Sequence, residues 1–201
     1  MPLDRAPQRP TPATAAERLR VETADLHAAV ERHIDLQRLT EDRGRYAELL
    51  RYFLSAVGPV EAALRDAGHE AAAEDAALLE ADLRRVGDSA PPAAATFELP
   101  EDPAAAWGAA YVLEGSSLGG QIIARTVHER LGLTPETGTA YFSRGAARRA
   151  AWPRFKERLN AGVRTPVEID ASVAAARSVF THFIDTAAGT WPAATETPSH
   201  V

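Results

Sequence analysis

The stretch Gly115-Ser116-Ser117-Leu118-Gly119-Gly120 lies inside an otherwise apolar helical pattern, where each glycine costs about 1 kcal/mol relative to alanine. Glycines at i, i+4 and i+5 are expected to clear one helix face, so that a bulky, flat partner can reach the backbone and the helix can bend over it. Far upstream, His27 falls on the apolar stripe of Leu19, Thr23, Leu26, Val30 and Ile34. Most histidines on a buried stripe simply bond a carbonyl. Here Glu31 stands one turn on, where a carboxylate can accept from the second ring nitrogen and fix the tautomer of a metal-ligating imidazole. Arg20 shares that face about 10 Å back along the axis, a reach suited to an acidic group on the rim of a large ligand. Solvated surface charge is the alternative for Arg20 and Glu31. A bared helix wall and an imidazole on a second helix together point to heme held between two helices.

The elements that must position these residues are all helical. Thr14 and Glu17 form a capping-box pattern that opens a first helix over 15–33. A second is expected over 43–66, buried through Tyr46, Leu49, Leu50, Phe53, Leu54 and Val57, with a kink at Gly58-Pro59. A third, alanine-rich, spans 70–86, and a proline-bearing connection covers 87–100. Asp102-Pro103 supplies an N-cap and an N1 proline for a long helix to Leu131 that contains the glycine run. Two more helices are expected over 146–161 and 166–188. No stretch alternates with strand periodicity, so the fold class is all-α.

With 201 residues and no composition shift in the middle, the chain is expected to form one domain over 13–190. The proline-rich lead 1–12 is expected to be disordered and the tail 191–201 flexible. The formal net charge of −6, with basic residues interspersed among acidic ones, argues against a nucleic-acid partner. No cysteine is present and the only methionine is Met1, which removes disulfides, thiolate metal sites and thiolate-ligated heme. No run of about 18 apolar residues suggests a membrane span, and residues 1–12 lack the apolar core of a secretory signal, so a cytoplasmic protein is expected.

The segment Leu19-Arg-Val-Glu-Thr23-Ala-Asp-Leu-His27-Ala-Ala-Val-Glu31, taken with Tyr111-Val-Leu-Glu-Gly115-Ser-Ser-Leu-Gly119-Gly-Gln121, resembles the heme oxygenase family, especially its bacterial biliverdin-producing branch associated with phytochromes. The similarity runs from the first helix to the last. It implies a single-domain heme oxygenase-like fold, with heme between the first helix and a kinked, glycine-rich distal helix. His27 is then the proximal iron ligand, Glu31 its support, and Arg20 faces a propionate. Gly115, Ser116, Gly119 and Gly120 lie over the heme. Tyr111 corresponds to a tyrosine near a propionate, Lys156 to a basic propionate contact, and Phe180 to an aromatic wall of the pocket. On the residues alone, Tyr111 and Phe180 are equally ordinary core aromatics and Lys156 an exposed lysine. One position departs from the animal pattern: Ser116 stands where an aspartate organises the proton-donating water.

The resemblance implies that heme is both substrate and cofactor, cleaved with O2 to biliverdin, carbon monoxide and ferrous iron. No G-x-G-x-x-G follows a strand, so electrons are expected from an external donor, a ferredoxin or flavoprotein. A bacterial phytochrome is an expected recipient of the product, with iron acquisition as the other purpose. A non-catalytic heme carrier or sensor would use the same His27, and Ser116 keeps that alternative open. A di-iron bundle would need Glu-x-x-His pairs, which are absent from the sequence. A related fold acting on another cofactor would not need His27.

Overall fold

The computed structural model describes residues 13–69, 74–88 and 95–191. The expected lead 1–12, the tail from 192 onward and the opening residues of the expected third helix lie outside them. The described helices are α1 (Ala15–Glu22), α2 (Ala24–His33), α3 (Arg43–Asp66), α4 (Asp75–Arg85), α5 (Pro103–Leu131), α6 (Ala140–Ser143), α7 (Gly145–Gly162) and α8 (Pro166–Thr190). A 3-10 turn at Arg38–Thr40 and a π turn at Pro135–Thr139 complete the regular structure, and no strand occurs among the described residues.

Local chemistry sets most helix ends. Thr14 and Glu17 close a full capping box on α1, and Thr165 and Glu168 do so on α8 behind the N1 residue Pro166. The Asp102 carboxylate accepts from the Ala104 N–H at 2.8 Å. At the far end of α5, Gly132 takes the left-handed conformation at φ +68° and donates to His128 O at 2.9 Å. Each device satisfies backbone groups that a helix terminus would otherwise leave unpaired.

The core is organised around the contact of α5 with α8. A Cβ on Gly108 would stand 1.9 Å from Ser172 O, so the two backbones approach as closely as glycine allows. Buried Ala105, Ala109, Ala175 and Ala176 extend this surface of small residues. α7 packs on α5, α3 packs on α4 and α8, and α1 and α2 both lean on α8.

The expected first helix is kinked at Thr23. Its i to i−4 bonds continue through the break, Thr23 N to Leu19 O at 3.1 Å and His27 N to Thr23 O at 2.9 Å. The buried Thr23 hydroxyl also donates to Leu19 O at 2.7 Å, a back-bonding known to bend helices. From α8, Arg177 donates to Glu22 O and pairs with Asp25 at 3.2 Å, holding the bend from outside. In α3, Pro59 sits inside a continuous helix and cannot donate to Ser55 O. The His182 ring occupies that region, with Nε2 3.2 Å from Ala56 O. Burial lowers the His182 pKa, although Ala56, Ser55 and Asp185 oppose the shift.

Candidate functional site

α2 and α5 scarcely touch each other among the described residues, yet both pack on α8. The space between α2 and α5, beside their common support α8, is the candidate ligand gap. On the α2 side, His27 is not buried as its apolar stripe suggested. Its side chain is 58% exposed, and α2 has no fully buried residue, because only α8 supports it to any extent. The His27 Nδ1 lies 3.7 Å from Glu31 Oε2, close enough for the carboxylate to orient the ring, directly or through water. Its Nε2 makes no hydrogen bond among the described residues. Phe180, buried on α8, presents its ring at 75° and 5.8 Å from the imidazole. An oriented imidazole with one free nitrogen, flanked by half-buried Leu26 and Val30, has the donor chemistry and apolar surroundings of an axial heme ligand.

On the α5 side the glycines divide. Gly119 is exposed, and a Cβ there would meet nothing within 4 Å. Gly115 would meet only Trp152 Cη2, at 3.6 Å. Just beyond Gly119 and Gly120 on the same helix, Ile122 leaves a large apolar side chain 67% exposed. Gly120 corrects the expectation of one cleared face. It is buried with its Cβ position 3.1 Å from Phe142 O, so its bareness serves the approach of α6. Ser117 is buried and donates to Glu114 O at 2.7 Å, while half-buried Ser116 donates to Leu113 O at 2.8 Å and lies beside the Tyr141 hydroxyl.

The expected propionate contacts gather near this wall. Tyr111 stands one turn before Gly115, its ring 5.3 Å from that of Trp152. Burial raises the Tyr111 pKa and the nearby Arg20 guanidinium opposes the rise, which brings the exposed α1 arginine within electrostatic reach of α5. The Lys156 ammonium lies 5.9 Å from the Trp152 ring centroid. Tyr111, Gly115 and Lys156 therefore meet around Trp152, which sequence reading missed, with Arg20 in electrostatic reach of Tyr111. The one available signal for Trp152 was its position one helical turn before Lys156.

Behind α5, a buried charge network fixes the wall in place. Asp75, only 2% exposed at its side chain, takes Arg144 and Arg148 at 2.9 Å each, and Arg148 reaches Glu114 at 3.1 Å. Burial raises the Glu114 pKa against the opposing charge of Arg148. Asp82, also buried, accepts from Tyr141 N at 2.8 Å. These contacts tie α4, α6 and α7 to the back of the glycine-bearing helix. A cavity of about 1040 Å³ lined by Pro59, His69, Phe97 and Trp107 lies elsewhere and holds none of the expected site residues. Among the described residues no helix is long and apolar enough to cross a membrane.

The family model for heme oxygenase matches residues 89–188, the part that contains α5 and most of α8 but not His27. A heme oxygenase of Xanthomonas campestris pv. campestris (strain 8004) is 32% identical over 158 residues, covering 75% of this chain and 89% of that protein. Among solved structures, the NO- and CO-bound heme oxygenase from Neisseria meningitidis aligns with a TM-score of 0.75 at 25% identity, over 94% of this chain and 98% of that one. Heme oxygenase-2 from Synechocystis sp. PCC 6803, solved with heme and NO, shares the fold with a TM-score of 0.68 at 19% identity, over 89% of this chain and 85% of that one. Similarity at this level over most of each chain makes this chain a member of the heme oxygenase family.

Proposed function

We propose that this chain binds heme in the gap between α2 and α5 and cleaves it oxidatively to biliverdin, carbon monoxide and ferrous iron, with O2 and electrons from an external donor such as a ferredoxin or flavoprotein. The observation that carries the reading is the pairing of His27, its Nε2 free and its Nδ1 beside Glu31, with the uncovered backbone at Gly119 on the opposite helix. Bound heme supplies redox-active iron and the ring-edge carbon at which the macrocycle opens. His27 ligates through Nε2 while Glu31 and Phe180 hold the ring's orientation. Gly115 and Gly119 set the backbone against the opposite face and leave little headroom above it. Arg20, Tyr111 and Lys156 hold the acidic edge of the substrate by charge and hydrogen bonding.

Ser116 takes the place of an acidic water-organiser. Its hydroxyl donates to Leu113 O and, with the Tyr141 hydroxyl beside it, keeps one acceptor lone pair on which an ordered water can sit and pass a proton. Supply of the product to a bacterial phytochrome is part of the proposal. The test is incubation of purified protein with hemin and ascorbate in air, followed by absorbance and mass spectrometry of the pigment. Decay of the Soret band to biliverdin supports the reading, and His27→Ala abolishes it, with imidazole partly restoring ligation. A stable Soret band in the wild type assigns the chain to heme carriage or sensing instead. An unchanged iron spectrum and rate in His27→Ala refute the ligand assignment.

A further inference from the structure

Oxidative chemistry beside a polypeptide endangers the polypeptide, and this one has no sulfur to absorb a stray oxidant beyond its start: it contains no cysteine, and its only methionine is Met1. Tyrosine and tryptophan are then its most readily oxidised side chains. The protein has three tryptophans and four tyrosines, and two of the former and one of the latter form a continuous ring-to-ring path leading away from the glycine wall. Tyr111 lies 5.3 Å from Trp152, centroid to centroid. Trp152 stacks on Phe155 at 5.4 Å with only 9° between the planes. Phe155 lies 5.7 Å from Trp107, and Trp107 meets His69 edge-on at 4.6 Å. Trp152 touches the face of Gly115 at one end. Tyr111, Trp152 and Trp107 are each half-buried, and Phe155 between them is buried.

We propose that Tyr111, Trp152 and Trp107, with Phe155 as the stacked bridge, form a hole-transfer path that carries oxidising equivalents from the heme cleft to solvent when peroxide, rather than productive turnover, oxidises the bound heme. The inference rests on heme binding in the cleft as proposed above. Hydrogen peroxide accepts two electrons and two protons and leaves as two waters. The two electrons are replaced one at a time along the path, from Trp107 to Trp152 to Tyr111 to heme. At each round Trp107 is left one electron short. The Arg158 guanidinium 5.8 Å from its ring centroid disfavours a positively charged ring, so Trp107 releases its Nε1 proton to water and rests as the neutral indolyl radical. A thiol or ascorbate in solvent then returns one electron and one proton. Two rounds consume two thiols, which leave as a disulfide, and restore every side chain.

The test treats the ferric heme complex with an equimolar amount of hydrogen peroxide in the presence of a nitroso spin trap, then maps the adducts by peptide mass spectrometry and records the radical by freeze-quench EPR. The same preparations are titrated with hemin to establish binding. In the wild type, the adduct concentrates on Trp107. Trp152→Phe keeps a ring in place but removes its oxidisable indole, so the Trp107 adduct falls several-fold while the Tyr111 adduct rises. Phe155→Leu breaks the stack without removing any oxidisable group and also lowers the Trp107 adduct several-fold. Equal labelling of Trp107 in wild type, Trp152→Phe and Phe155→Leu overturns the path, as does equal labelling in heme-free protein treated with peroxide. Failure of the wild type to bind hemin overturns the proposed function and this inference with it, whereas normal binding with no adduct at Trp107 overturns this inference alone.

Discussion

Gly119 offers a perturbation in which folding and function should move in opposite directions. It sits in a helix interior with ordinary helical backbone, it is exposed, and a Cβ built there meets nothing within 4 Å. Gly119→Ala should therefore raise the stability of the heme-free protein by the intrinsic helix preference, about 1 kcal/mol. For a chain of this length that corresponds to a rise in Tm of about 2–4 °C. The new methyl projects toward the gap in which the macrocycle is proposed to lie. Overfilling a closed contact costs about 1–3 kcal/mol, which at about 1.4 kcal/mol per factor of ten weakens heme binding roughly five- to 140-fold. Gly119→Leu should weaken it further. Gly120→Ala is the control, because its Cβ would press on Phe142 O at 3.1 Å and Phe142 Cα at 3.4 Å. There α6 must shift, and the gain in helix preference is offset or reversed. Thermal unfolding of the heme-free variants and hemin titration at the Soret band read the two quantities separately. A lower Tm in heme-free Gly119→Ala would show that this face is covered in the folded protein. Wild-type heme affinity and turnover in Gly119→Leu would show that α5 is not the wall.

Three further outcomes follow from the same contacts. Gly108→Ala places its Cβ 1.9 Å from Ser172 O, so α5 and α8 must separate; a loss of about 1–3 kcal/mol is expected in urea unfolding, and an unchanged midpoint would refute the close crossing. Arg148→Ala leaves Glu114 without its partner and Asp75 with Arg144 alone; the loss should lie at the low end of the 3–5 kcal/mol for breaking a buried pair, about 3 kcal/mol, and Glu114→Gln added to it should recover part, as measured by the same unfolding assay. Burial holds the folded pKa of His182 below its ordinary 6.5, so the unfolded chain takes up that proton first as pH falls; stability present above about pH 6.5 is lost below it, and His182→Gln should flatten this part of the acid limb, a steeper limb being the contrary result.

What the sequence made legible was chemistry whose partners lie within a turn or two. Asp102-Pro103 opens α5 because an N-cap and an N1 proline act on their own helix end, and the ends at Pro103 and Leu131 agree with the expected ones. The bend at Thr23 was not legible in this way. Thr23 alone looks like one more residue on the stripe of Leu19 and Leu26, and the contacts that hold the bend come from Arg177, on the last helix. The exposure of His27 follows from the same cause, since a stripe is buried only where a neighbour covers it. The basic residues show a different limit. Arg144, Arg148, Arg149, Arg154, Lys156, Arg158 and Arg164 face Glu157 as the sole acid between 144 and 164, a local excess that the overall charge conceals. Arg144 and Arg148 are largely neutralised by Asp75 and Glu114 from two other helices.

The glycine run shows how one motif can serve two different neighbours. Gly119 and Gly120 are adjacent and chemically identical, yet one faces open space and the other the backbone of Phe142. The difference is made by α6, a four-residue helix after a π turn whose Gly138 has φ 139°, too short to leave a periodic pattern. Under the proposed function two demands act on one helix: α5 is bare at Gly119 for a ligand and bare at Gly120 for the packing of α6. Tight packing behind α5, through Gly120, through Gly145, where a Cβ would stand 2.5 Å from Ser117 O, and through the Asp75 network, holds the helix that carries half-buried Gly115 and exposed Gly119. In the proposed complex the rigidity needed to hold a macrocycle at a fixed distance comes from glycines packed against neighbouring helices.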